Sequence, residues 1–143
     1  YLYKELGGKL QLAVWDFNNG FDNYQWFRTE TDVLHTVENS WFKRLWQDET
    51  FREHVCERYR QLRKTTLADE HIAEKIASYQ EELGDAVDRN FKVWGYSFDE
   101  ALLAGTSKDG TSRDIRSYEE AMKQLTDTIR ERRAYLDKEL GGN

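Results

Sequence analysis

Residues 69–94 read Asp-Glu-His-Ile-Ala-Glu-Lys-Ile-Ala-Ser-Tyr-Gln-Glu-Glu-Leu-Gly-Asp-Ala-Val-Asp-Arg-Asn-Phe-Lys-Val-Trp. Ile72, Ile76, Tyr79, Leu83, Val87, Phe91 and Trp94 recur there at steps of three or four, the spacing of one helix face, over about six turns. Upstream, Phe51, Val55, Tyr59 and Leu62 keep that spacing, as do Leu34, Val37, Trp41 and Leu45 before them. Downstream, Met122, Leu125, Ile129, Leu136 and Leu140 resume it, with only the step at Arg132-Arg133 lacking an apolar residue. No proline interrupts any of these runs, which favours unbroken helices. Capping boxes predict the helix starts: Thr50 with Glu53, Thr66 with Asp69, Ser97 with Glu100, and Ser117 with Glu120. In each, the hydroxyl can accept a free backbone N–H while the acid reaches back to the cap residue. The last helix is expected to stop at Gly141-Gly142.

The first 28 residues differ. Tyr1-Leu2-Tyr3 is a short β-prone run, Gly7-Gly8 supplies turn residues, and Lys9 to Trp15 forms a second strand. A β-hairpin with a glycine-containing loop is expected, ending in the turn Asp16-Phe17-Asn18-Asn19-Gly20. Residues 104–116, rich in Gly, Ser, Thr and Asp, form the one long polar loop. The expected fold is therefore α+β and mostly helical. A hairpin and turn over 1–28 precede four or five packed helices over 31–140, all within a single domain of 143 residues.

Composition narrows the function classes. Aromatic residues make up 14% of the chain, too many for a disordered one. The longest apolar run is only a few residues, so no membrane span is expected. The net charge is −6, with three basic and six acidic residues in the first forty. A phosphate-backbone binder needs a basic face, so no nucleic-acid partner is expected. One cysteine, Cys56, excludes an internal disulfide and a cysteine-based zinc site.

Val14-Trp15-Asp16-Phe17-Asn18 is the sharpest candidate for chemistry. An acid directly after an apolar strand is held at the end of the sheet, and a carboxylate so placed suits a hard cation such as magnesium. Strand, Asp-Phe, turn is also the local grammar of the metal-binding Asp of protein kinases. The competing account is structural: Asp16 partners a tight Asx-turn at Asn19-Gly20. A calcium loop through Asp16, Asn18, Gly20 and Asp22 fits poorly, because its glycine falls at the fifth position and Phe27 stands where a bidentate Glu belongs.

His35, His54 and His71 fall on separate helices without metal spacing. Cys56 reads as a buried inert thiol, and Trp41, Phe42, Leu45 and Trp46 as core and helix contacts. Arg58, Arg60, Arg63 and Lys64, with Glu53 and Glu57 within a turn, read as a solvated face with ion pairs.

Taken in order, several segments carry a wider likeness. They are Gly8-Lys9-Leu10 leading to Val14-Trp15-Asp16-Phe17, the run Trp41 to Phe51, and Arg58-Tyr59-Arg60-Gln61-Leu62-Arg63. Leu83, Ala86, Arg89-Asn90 and Trp94 follow, and Ile129 to Asp137 closes the set. Over nearly its whole length the chain resembles the C-terminal part of the spore coat protein H (CotH) kinase-like family. Members are atypical protein kinases that use ATP and a divalent metal and phosphorylate secreted or coat proteins.

The resemblance implies that Asp16 is the metal-binding Asp, assisted by Asn18. The family often has Asp-Phe-Asp here, whereas the third place in this chain is Asn18, whose amide oxygen ligates a cation without bringing charge. In the kinase plan the catalytic-loop Asp precedes the hairpin. That residue and the nucleotide-holding lobe are therefore expected upstream of Tyr1, and no catalytic residue is assigned within the chain. The chain is expected to be a fragment that phosphorylates nothing alone and binds neither magnesium nor ATP tightly without its N-terminal lobe. Expected partners are a protein substrate, that lobe, and a second copy through an apolar patch with Trp15, Phe17 and Phe21 as candidates. The resemblance also suggests a bacterial cell surface, secreted or spore-coat setting. The rival from another class is a non-catalytic helical interaction module.

Overall fold

The computed structural model describes residues 1–13, 15, 20–22, 29–94 and 117–141. Two strands, β1 (Leu2–Tyr3) and β2 (Gln11–Leu12), pair antiparallel with Leu2 opposite Leu12 and Tyr3 opposite Gln11. The terminal ammonium of Tyr1 donates to Ala13 O at 2.9 Å, and Ala13 N donates back to Tyr1 O at 2.9 Å. Among the described residues strand pairing is thus shorter than the run Lys9 to Trp15 suggests. The β-turn closing at Gly8 N to Glu5 O places Gly7 at φ 75°, a conformation that glycine adopts freely.

Among the described residues five α-helices follow: α1 (Ser40–Trp46), α2 (Glu49–Arg63), α3 (Asp69–Leu83), α4 (Ala86–Trp94) and α5 (Tyr118–Leu136). A 3-10 turn, His35–Glu38, precedes α1, and a single π-helical turn, Asp137–Gly141, continues α5. The mostly helical α+β fold expected from periodicity is the fold observed. Two of its continuous runs are broken, however. Extended backbone at Asn39 (φ −66°, ψ 139°) separates the turn holding Val37 from α1. Gly84, at φ 43°, separates α3 from α4, although the apolar spacing runs straight across it.

Caps account for several boundaries. Ser117 accepts from Glu120 N at 3.1 Å, as its box predicts. Thr50 lies inside α2, and the cap is Asp48, whose carboxylate accepts from Phe51 N at 2.8 Å. Thr66 caps nothing: α3 starts after Ala68 without a side-chain cap, and Asp69 is engaged instead by arginines of α2 and α5. Asn39 caps α1 by accepting from Trp41 N. The box at Ser97 and Glu100, the loop 104–116 and Gly142 lie outside the described residues.

Among the described residues, Tyr59 of α2 and Leu140 of the π-turn are the buried apolar side chains, and they meet where that turn packs on α2. Phe91 and Tyr118 approach at 6.5 Å between ring centroids, bringing α4 to the start of α5. Phe42 and Trp46 are half-buried, whereas Trp41 and Leu45 are exposed and not the core contacts their spacing suggests. The three-four spacing defines a face, but a seven-residue helix held at the margin covers only part of it. Among the described residues no helix is long and apolar enough to cross a membrane.

Candidate functional site

Asp16 and Asn18 lie outside the described residues, and so does Phe17. The chain on either side of them is described. Before them, the hairpin fixes Ala13, and the exposed Trp15 ring meets Tyr1 edge-on at 5.0 Å. After them comes Asp22, only 4% exposed and at φ 62°, a left-handed conformation that Asp tolerates better than most residues. Its carboxylate accepts from Thr29 N at 2.7 Å through Oδ1 and from Gln124 Nε2 at 3.0 Å through Oδ2. The Gln124 amide also donates to the Asp22 carbonyl at 2.8 Å. Both carboxylate oxygens of Asp22 are thus engaged within the protein.

Further along, Arg132 of α5 donates through Nη1 to Thr31 O at 3.0 Å and to Val33 O, and Thr31 Oγ1 meets Glu131 Oε2 at 3.4 Å. Gln124, Thr128 and Arg132 follow one another at steps of four, so they share a face of α5. Thr128 on that face is buried. These polar residues at helical spacing are the sequence signal for the contact.

A second polar centre joins α2, α3 and the end of α5. Arg63 donates to Asp137 from Nε to Oδ1 at 2.8 Å and from Nη2 to Oδ2 at 3.2 Å. Tyr59 donates its hydroxyl to Asp137 Oδ1 at 2.7 Å. Arg63 Nη1 also reaches Asp69 Oδ1 at 2.8 Å, and Arg133 holds the other oxygen of Asp69 at 2.9 Å. Burial works against charge on Asp137, yet the bonds from Arg63 and Tyr59 outweigh it and hold its carboxyl below the ordinary value. Burial and the bond to Asp137 push the Tyr59 phenol up. The cluster pins the ends of α2 and α5 to the start of α3.

Of the basic run on α2, Arg60 pairs with Glu57 at 3.1 Å, as a solvated face would, but Arg63 is drawn into the cluster. His35 lies between Glu30 (2.8 Å) and Glu38 (3.5 Å) in the 3-10 turn, while His54 and His71 sit on α2 and α3. Cys56 is half-buried rather than buried, and it lines a groove of about 600 Å³ with Trp46, Glu49, Glu53 and Glu139. Among the described residues no group of three or more His, Cys, Asp or Glu is placed to hold a metal ion.

No curated protein and no solved structure gives a significant match to the chain. A family model described as CotH kinase protein matches residues 1–136. The segments Arg58–Arg63 and Ile129–Asp137, far apart in sequence, supply Tyr59, Arg63, Arg133 and Asp137 to one cluster. With the match covering nearly the whole of its length, the chain belongs to the CotH kinase protein family.

Proposed function

We propose that the chain is the C-terminal portion of an atypical CotH-like protein kinase, which transfers phosphate from ATP to protein side chains in the full-length protein. The family match over residues 1–136 is the observation that carries this. Asp16 supplies a carboxylate and Asn18 an amide oxygen, both hard donors of the kind magnesium accepts alongside phosphate oxygens. When bound, the metal offsets charge on the ATP phosphates. In this reading the helical bulk supports the strand that leads to Asp16 and shapes a surface for the protein substrate. The catalytic-loop Asp and the nucleotide-holding lobe come, in this proposal, from residues preceding Tyr1 in the intact protein.

Labelled ATP with magnesium tests it. The full-length protein should transfer phosphate to a protein acceptor, and residues 1–143 alone should transfer none. A full-length protein that transfers nothing defeats the kinase assignment. Robust incorporation by residues 1–143 alone defeats the placement of the catalytic loop upstream.

A non-catalytic interaction module is the second reading. It is favoured by the exposed apolar side chains of the hairpin region, among them Leu2, Leu6, Leu10, Leu12 and Trp15, since such patches commonly mark binding surfaces. For a module of that kind, ATP with magnesium leaves the melting temperature of the full-length protein unchanged.

A further inference from the structure

We infer that α3 is a self-association surface: two copies of the chain pair through antiparallel α3 helices, with Lys75 of each copy beside Glu82 of the other.

The apolar stripe of α3, Ile72, Ile76, Tyr79 and Leu83, steps by four, three and four, so it lies along one side of the helix. Such a stripe ordinarily faces a core, yet no residue of α3 is buried. Ile72 and Ile76 are half-buried, whereas Tyr79 is 59% and Leu83 50% exposed. The helix is fastened at its start, where Asp69 meets Arg63 and Arg133. Beyond Asp69, no α3 side chain among the described residues makes a hydrogen bond or an ion pair. The stripe therefore runs out from a fixed root, with its far half uncovered.

The charges beside the stripe select its occupant. Glu70, Glu74 and Glu81 fall on the opposite side of the helix by their spacing. Lys75 and Glu82 flank the stripe along one edge, seven residues apart. Written as a heptad, Ile76 and Leu83 stand at a, Ile72 and Tyr79 at d, and Lys75 and Glu82 at g. In an antiparallel pair a two-fold axis sets a against d and g beside g. Ile72 then meets Leu83, Ile76 meets Tyr79, and Lys75 meets Glu82, each contact occurring twice. Parallel pairing sets g beside the following e, where Lys75 meets Gln80 and gains no ion pair. Antiparallel pairing also sends the two anchored roots to opposite ends, so the bodies beyond them stay apart. One helix thus carries both halves of the complement, which makes a second copy the occupant. A face of this size is small for an interface, so the association is weak and concentration-dependent. It is separate from the exposed side chains of the hairpin region.

The test is sedimentation of the full-length protein and of Tyr79→Ala, Lys75→Glu, Glu82→Lys and the double swap Lys75→Glu with Glu82→Lys. All three positions are exposed, so the monomers should keep the wild-type melting temperature in dilute solution. The wild type should dimerise reversibly with a dissociation constant below about 1 mM. Tyr79→Ala removes the aromatic anchor and should weaken dimerisation about tenfold or more. Each single reversal places like charges together twice and should weaken it about tenfold. The double swap should restore wild-type affinity, and so should mixing the two single variants, which are complementary to each other. A wild type still monomeric at about 1 mM overturns the proposal. A dimer indifferent to Tyr79→Ala and to both reversals lies on another surface and overturns it too. Reversals that weaken the dimer without rescue by the double swap or the mixture overturn the antiparallel pairing of Lys75 with Glu82.

Discussion

Arg63 grips Asp137 with two parallel bonds, Nε to Oδ1 at 2.8 Å and Nη2 to Oδ2 at 3.2 Å, across 74 residues of sequence. Arg63 lies in the last turn of α2, where a cation also complements the helix dipole. Asp137 ends α5 and opens the π-turn, so the pair sets the angle at which the C-terminal helix meets α2. The planar guanidinium matches the carboxylate fork in a way that an ammonium does not.

Asp137→Asn keeps the shape and removes the charge. It should destabilise the protein by roughly 1.5–3 kcal/mol, the range for hydrogen bonds to charged groups. The lower end is expected, because the Asp137 side chain is 42% exposed and water screens it. Arg63→Lys should cost a similar amount, since one of the two parallel bonds is lost along with the reach to Asp69. Chemical denaturation of each variant measures this, and an unchanged midpoint for both would show that the pair is incidental.

The same cluster sets a pH window. Asp137 is more acidic folded than unfolded, so its contribution is present above the ordinary carboxyl value of 3.8 and is lost as pH falls through the folded value. Tyr59 is less acidic folded than unfolded, so its contribution is full below the ordinary phenol value of 10.0 and is lost as pH rises toward the folded value. Melting temperature plotted against pH should therefore fall off on both sides of this range. Tyr59→Phe should remove part of the alkaline slope and Asp137→Asn part of the acid slope. If neither slope changes, other groups control the window.

How far such features can be read from sequence depends on their range. Helices α2 and α5 were legible because Phe51 to Leu62 and Met122 to Leu136 keep helical spacing within a few residues, and Ser117 caps α5 from the adjacent position. The break at Gly84 was not, because Leu83 and Val87 keep the apolar step while the backbone between them turns left-handed. The start of α2 is ambiguous in sequence because Thr50 offers a box with Glu53, whereas Asp48, directly before the helix, is the residue that bonds Phe51 N. The grip of Arg63 on Asp137 and of Gln124 on Asp22 joins residues 74 and 102 positions apart, and no local pattern encodes it. The likeness to the CotH family pointed at Asp16 and Asn18, which lie outside the described residues, and not at the polar contacts flanking them.

Capping offers a direct comparison. Ser117→Ala removes the acceptor for Glu120 N and should cost about 1 kcal/mol. Asp48→Ala removes the acceptor for Phe51 N and should cost about as much. Thr50→Ala, inside α2, removes no cap and should change stability by less than about 0.5 kcal/mol. Thermal melting of the three variants side by side is sufficient. A larger loss at Thr50 than at Asp48 would place the start of α2 two residues later.

Asp16→Asn in the full-length protein separates the chemical role of this residue from a structural one. The substitution preserves size and hydrogen-bonding shape but removes the charge that offsets magnesium. Magnesium sheds its waters reluctantly, so a neutral amide beside Asn18 leaves the ion with no carboxylate from this turn. The metal stabilises charge in the phosphoryl transition state, so turnover should fall by orders of magnitude. A metal role in a solvated cleft predicts that the fold changes little. An Asx-turn role predicts the reverse pair of outcomes: activity kept and stability lost as the turn loosens. Phosphate transfer and the melting midpoint, measured on this one variant, tell the two apart. Retained activity with a lowered midpoint would eliminate the metal role and return Asp16 to the architecture of the turn.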